Sequence, residues 1–115
     1  MFMDSTLPII EKTYGIYKTL VDINAKLPKT HRYSLGTSTE LSVLQLMELL
    51  IMASHAPKTS KAVYLLKAQA QLDIVRFKLR LYLELKLANE TRIFQIQADV
   101  QETGRMLGGW LKSVT

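Results

Sequence analysis

The sequence predicts an all-α protein, an antiparallel up-down-up-down four-helix bundle. Three observations lead there. Apolar residues recur at roughly the 3.6-residue helical spacing in four segments. No segment alternates apolar and polar residues as a half-buried strand does. Glycine and proline are few, and short connections separate the segments, which makes successive helices antiparallel neighbours. With 115 residues, 48% of them hydrophobic, the chain can bury one core, so a single domain over 1–115 is expected.

The first helix is expected from about Thr6 to Lys26, with Pro8 tolerated in its first turn. Ile9, Tyr14, Ile16, Leu20, Val21, Ile23 and Leu27 fall on one half of its wheel, opposite Glu11, Lys12, Lys18, Asp22 and Lys26. A loop is expected from Pro28 to about Gly36. Thr37-Ser38-Thr39-Glu40 then reads as a capping box for the second helix, which ends near His55 ahead of Pro57. That helix is apolar around most of its circumference, with Val43, Leu46, Met47, Leu50 and Ile51 on one side and Leu41, Leu49 and Met52 on another.

The third helix, about Thr59 to Leu87, carries two apolar faces. Leu65, Ala68, Leu72, Val75, Leu79 and Leu83 form one; Val63, Leu66, Ala70, Ile74, Phe77, Leu81 and Leu85 form the other, roughly opposite. The fourth helix, about Glu90 to Val114, starts behind Asn89 as N-cap and has a single stripe through Ile93, Ile96, Val100, Leu107 and Leu111. Gly104 and Gly108 lie in or beside that stripe. Each glycine costs about 1 kcal/mol of helix stability, so close approach of a neighbouring helix is the expected compensation. A bundle helix needs one buried face, and the second and third have more. Large apolar patches are rare on monomers, so a homo-oligomer is expected.

Charge is concentrated on one element. The chain has a net charge of +5, and residues 56–88 hold seven cations against two acids, so the remainder is neutral overall. Such a basic face attracts polyanions, nucleic acid ahead of anionic lipid. Arg76 and Arg80, spaced i, i+4, share a strip with Gln69, and guanidinium groups make forked, charge-assisted bonds to phosphate. Each also has an acid in reach, Asp73 at i−3 of Arg76 and Glu84 at i+4 of Arg80. Lys58, Lys61, Lys67 and Lys78 complete the candidate binding set on this helix. Binding of this kind is sequence-independent and steeply salt-dependent. Few aromatics accompany the cations beyond Tyr64 and Tyr82, so base stacking has little support at this level.

Other chemistry is poorly provided for. The chain has no cysteine, which excludes thiol catalysis and zinc-thiolate sites. Its two histidines, His31 and His55, form no helical metal motif, no phosphate loop occurs, and the carboxylates are scattered. No catalytic residue, cofactor or metal is expected. The start Met1-Phe2-Met3-Asp4 lacks a signal-peptide pattern, and the longest apolar run, Leu49–Ala53, is too short for a membrane span. A cytoplasmic protein without membrane association is expected.

Three segments together carry a family resemblance. Leu27-Pro28-Lys29-Thr30-His31-Arg32-Tyr33-Ser34-Leu35-Gly36 resembles a signature segment of small four-helix-bundle proteins. Arg76-Phe77-Lys78-Leu79-Arg80-Leu81 is similar to their third-helix arginine motif, and Gly104-Arg105-Met106-Leu107-Gly108-Gly109-Trp110 to their C-terminal signature. The group comprises the accessory variability determinant (Avd) proteins of diversity-generating retroelements and relatives encoded in intervening sequences of ribosomal RNA genes. Resemblance to Avd implies a basic homopentamer without catalysis of its own. It also implies two partners, a reverse transcriptase and RNA or DNA, in support of mutagenic retrohoming. It makes Arg76 and Arg80 the first candidates for those contacts and adds Arg105. Arg105 is also within reach of Glu102. His31 and Arg32 belong to the signature segment, where they either hold the segment or touch a ligand. The alternative implied by the group is a structural or interaction protein of the ribosomal intervening-sequence type with no polymerase partner.

Overall fold

A computed structural model describes residues 7–115 of the chain. Four long helices, α1 (Leu7–Asn24), α2 (Thr37–His55), α3 (Lys58–Glu84) and α4 (Glu90–Val114), form an antiparallel up-and-down bundle. The expected start of the first helix at Thr6 and the Met1–Asp4 stretch lie outside the described residues. The helices pack as a square, α1 against α2 and α4, and α3 against α2 and α4. The bundle measures 44 × 22 × 22 Å. No helix among the described residues is long and apolar enough to cross a membrane.

The core follows from apolar spacing. Ile16, Leu20 and Ile23 of α1 meet Val43, Leu46 and Leu50 of α2, Leu65, Leu72 and Leu79 of α3, and Ile93, Ile96 and Val100 of α4, all buried. The two-faced pattern of α3 divides as its wheel predicts. Leu65, Ala68, Leu72, Val75 and Leu79 are buried, whereas Val63, Leu66, Ile74, Phe77, Leu81 and Leu85 are exposed. Leu41, Ile51 and Met52 leave a second, smaller apolar surface on α2.

Three expectations are corrected. The first is the loop at 28–36, which is helical. Pro28 opens a one-turn helix, Lys29–His31, that runs through a π-helical segment, Arg32–Gly36, directly into α2. Thr37 therefore starts nothing, and the capping box does not form: Gly36 is itself in the helical region and no side chain caps it. Glu40 instead accepts a hydrogen bond from Asn24 Nδ2 at 2.8 Å. Second, α3 stops at Glu84 rather than near Leu87. Lys86 adopts the left-handed conformation (φ 55°). Bonds from Leu87 N to Tyr82 O (3.0 Å) and from Lys86 N to Leu83 O (3.1 Å) then close the helix in a Schellman turn. Third, close approach of a neighbouring helix is met at only one of the two α4 glycines, and there by side chains of α3. A Cβ on Gly104 would sit 2.5 Å from Arg76 Nη2, and one on Gly108 would meet nothing within 4 Å. The N-cap of α4 forms as expected, with Asn89 Oδ1 accepting from Arg92 N at 3.1 Å.

A buried polar network ties one end of the bundle together. Tyr82, an aromatic of the basic helix, is fully buried, and its hydroxyl donates to Asn24 Oδ1 at 2.6 Å. Asn24 Nδ2 donates to Gly36 O at 3.0 Å. Gly36 fits because a Cβ there would press on Asn24 Cγ at 3.2 Å. Burial pushes the Tyr82 hydroxyl above its usual pKa, against the lowering effect of its hydrogen bonds. On the surface of the same end, Arg92 Nη1 bonds Asp22 Oδ2 at 2.7 Å, linking α4 to α1. That hydrogen bond first, and the charges of Lys26 and Arg92 after it, lower the Asp22 pKa.

Candidate functional site

The bundle turns the Gln69–Arg76–Arg80 strip of α3 toward α4. Between the two helices runs an open groove of 530 Å³, lined by Arg76, Arg80, Gln97 and Gln101 with Leu79 and Val100 beneath. Two smaller depressions adjoin it. One, of 280 Å³, is lined by Asp73, Arg76, Phe77 and Arg80. The other, of 290 Å³, runs past Gln69 and Asp73 to Gly104 and Leu107. Arg76 borders all three, so it sits where the surface relief converges. Gly104 gives its guanidinium room to lie over the α4 backbone.

Both arginines have intrahelical acid partners, as their spacing allows. Arg76 Nη1 meets Asp73 Oδ1 at 2.6 Å, and Arg80 Nη2 meets Glu84 Oε2 at 3.5 Å. The side chains of both pairs are largely open to water. Such exposed bridges contribute about 0–1 kcal/mol, so a phosphate can displace the carboxylates at little cost. The Arg80 guanidinium also stands over the Phe77 ring, 5.4 Å from its centroid.

The other candidates are distributed differently. Lys61 Nζ donates to Ala53 O (2.8 Å) and Ser54 O (3.2 Å), closing the C-terminus of α2. Lys78 Nζ bridges to α2 through Ser38 Oγ and Ser42 Oγ, each at 2.7 Å. Arg32 Nη2 reaches back to Ala25 O (2.9 Å) and Leu27 O (3.1 Å), so it satisfies carbonyls at the end of α1 and holds the signature segment. Its Nε is buried without a partner among the described residues. Arg105 bonds Glu102. Lys58 and Lys67 are exposed and have no ion-pair partner among the described residues. The structure thus gathers Arg76 and Arg80 at one groove and places three other cations on backbone or hydroxyl oxygens.

Sequence reasoning missed the α4 wall of this groove. Gln97 and Gln101 carry no motif, although their i, i+4 spacing puts them on one face. Phe94, one turn earlier, is 53% exposed. Its signal was an aromatic lying off the α4 apolar stripe. Among the described residues no group of three or more His, Asp or Glu side chains is placed to hold a metal ion.

No curated protein matches the chain. A family model described as bAvd-like matches residues 7–114, which takes in the π-helical segment, the arginine strip and the glycine-bearing α4. The chain therefore belongs to the bAvd-like family, that of the accessory variability determinant proteins.

Proposed function

We propose that this chain is a non-catalytic accessory protein of a diversity-generating retroelement. In this reading it is one cytoplasmic domain that presents the α3/α4 groove to nucleic acid and to the element's reverse transcriptase in support of mutagenic retrohoming. The observation that carries the reading is the convergence at Arg76: three depressions meet at a guanidinium, next to Arg80, on the helix that holds most of the net charge. Arg76 and Arg80 make the primary contacts. Lys58, Lys67 and Arg105 extend the field, and Lys61, Lys78 and Arg32 add charge while holding the fold. The exposed outer face of α3, with Val63, Ile74, Leu81 and Leu85, supports self-association, as a homopentamer by resemblance.

The direct test removes both arginines. Arg76→Ala with Arg80→Ala should lower affinity for a labelled oligonucleotide at low salt. It should also shrink the slope of log K against log salt by about 1 per arginine, with circular dichroism and mass in light scattering unchanged. Unchanged affinity and slope would remove the groove from the mechanism. Copurification with a reverse transcriptase encoded beside this gene tests the second partner. A monomeric mass at micromolar concentration would refute the assembly.

A further inference from the structure

Two phenylalanines stand in solvent on the helices that flank the arginine groove, Phe77 with 63% and Phe94 with 53% of its surface exposed. Phe77 shares its 280 Å³ depression with Arg76 and Arg80, and those two arginines also line the 530 Å³ groove, so ring and groove are continuous. Phe94 lies one turn before Gln97 and two before Gln101, on the strip of α4 that forms the opposite wall. The site therefore sets one ring beside the two guanidinium groups of α3 and a second in line with the glutamines of α4. Of the remaining exposed apolar positions of α3, Leu66 lies in line with Phe77, and Val63, Ile74, Leu81 and Leu85 lie further round the helix, away from α4.

This pairing discriminates between forms of nucleic acid. A duplex offers phosphates outward and keeps its base faces stacked inside, so exposed phenyl rings gain nothing from it. A single strand offers phosphates and unpaired base faces together, and aromatic side chains in a cationic groove bind both. Two of the cations that would widen a duplex footprint on α3, Lys61 and Lys78, are turned onto the carbonyls and hydroxyls of α2, which leaves Lys58 and Lys67 at the far end of the strip. We infer that the α3/α4 groove takes single-stranded nucleic acid, with bases stacked on Phe77 and Phe94 and phosphates held by Arg76 and Arg80. The inference rests on the nucleic-acid reading above and adds the strandedness of the ligand.

The test compares a labelled single-stranded oligonucleotide with a duplex of equal length at matched salt, by fluorescence anisotropy on the full chain. Phe77→Leu and Phe94→Leu keep an apolar side chain but remove the ring, and Phe77→Tyr keeps it. The wild-type chain should prefer the single strand. Each leucine variant should lose about fivefold or more of single-strand affinity and none of its duplex affinity, with the tyrosine variant retaining both. Equal binding of the two forms, or equal losses on both, overturns the inference while leaving the basic groove in place. A loss that comes with a fall in mass by light scattering also overturns it, because the ring then serves contact between copies. Failure to bind either form at low salt overturns the broader nucleic-acid reading, and this one with it.

Discussion

The hydroxyl of Tyr82 tests the polar network at the signature end of the bundle. Tyr82 is fully buried and Asn24 is 2% exposed, and their bond at 2.6 Å is the link that the hydroxyl supplies between α3 and α1. Tyr82→Phe deletes the donor but leaves Asn24 Oδ1 buried without a partner. An orphaned buried acceptor costs about 1–3 kcal/mol, so a loss near 2 kcal/mol is expected. At about 4 °C per kcal/mol for a domain of this length, the melting temperature should fall by roughly 8 °C. Urea unfolding followed by far-ultraviolet circular dichroism, at one fixed protein concentration, measures the loss. The specificity of the argument lies in a double-mutant cycle. In an Asn24→Ala background the acceptor is gone, so Tyr82→Phe should then cost under about 0.5 kcal/mol, giving a coupling above roughly 1 kcal/mol. Tyr33→Phe, at a residue 68% exposed, is the control and should be neutral. Equal costs of Tyr82→Phe in the two backgrounds would refute the role given to this bond.

Further expectations concern the same helices. Because burial raises the Tyr82 pKa, the native state holds its proton more tightly than the unfolded chain, so stability is full below about pH 10 and is lost as pH rises through the native value. The urea midpoint should therefore fall more steeply above about pH 10 in the wild-type chain than in Tyr82→Phe. Lys86→Gly should stabilise the protein by about 0.5–1 kcal/mol, since glycine takes the left-handed C′ position without the Cβ penalty; an unchanged or lower urea midpoint would contradict this. Gly104→Ala should raise stability by up to about 1 kcal/mol through helix propensity. Because its Cβ displaces the Arg76 guanidinium, oligonucleotide affinity should fall by about tenfold, the worth of one charge-assisted bond. Thermal melts and anisotropy on the same sample should show the two effects with opposite signs.

Much of the architecture could be read from the sequence because helical periodicity reports burial directly. The division of α3 into a buried Leu65–Leu72–Leu79 face and an exposed Val63–Ile74–Leu81 face follows from spacing alone, as do the Asp73–Arg76 and Arg80–Glu84 pairs and the Asn89 cap. What failed was punctuation. Pro28 and Gly36 read as the ends of a loop, but Pro28 is compatible with a first helical turn and Gly36 is small for the sake of Asn24, so backbone geometry was inferred where packing was the cause. Gly104 likewise read as a helix-packing device and proved to be a seat for a side chain. In the groove, the arginines were visible through spacing and charge. The contributions of Gln97 and Gln101 depend on which helices are neighbours, and no local pattern encodes that.

The π-helical segment gives the chain an unusual sensitivity to its own length. An i→i+5 turn holds one residue more than an i→i+4 turn, so Arg32–Gly36 stores a phase offset between Pro28 and α2. Upstream, phase is set by Arg32 gripping the carbonyls of Ala25 and Leu27 just past α1; downstream, by Val43 and Leu46 in the core. Removing one residue on either side of the segment would rotate these two anchors against each other by about 100°, whereas removing one inside it would regularise the helix at nearly unchanged phase. A deletion outside the segment would disengage one end while a deletion within it, or a substitution at the exposed Tyr33, leaves both in place, so the position of a length change matters more here than residue identity.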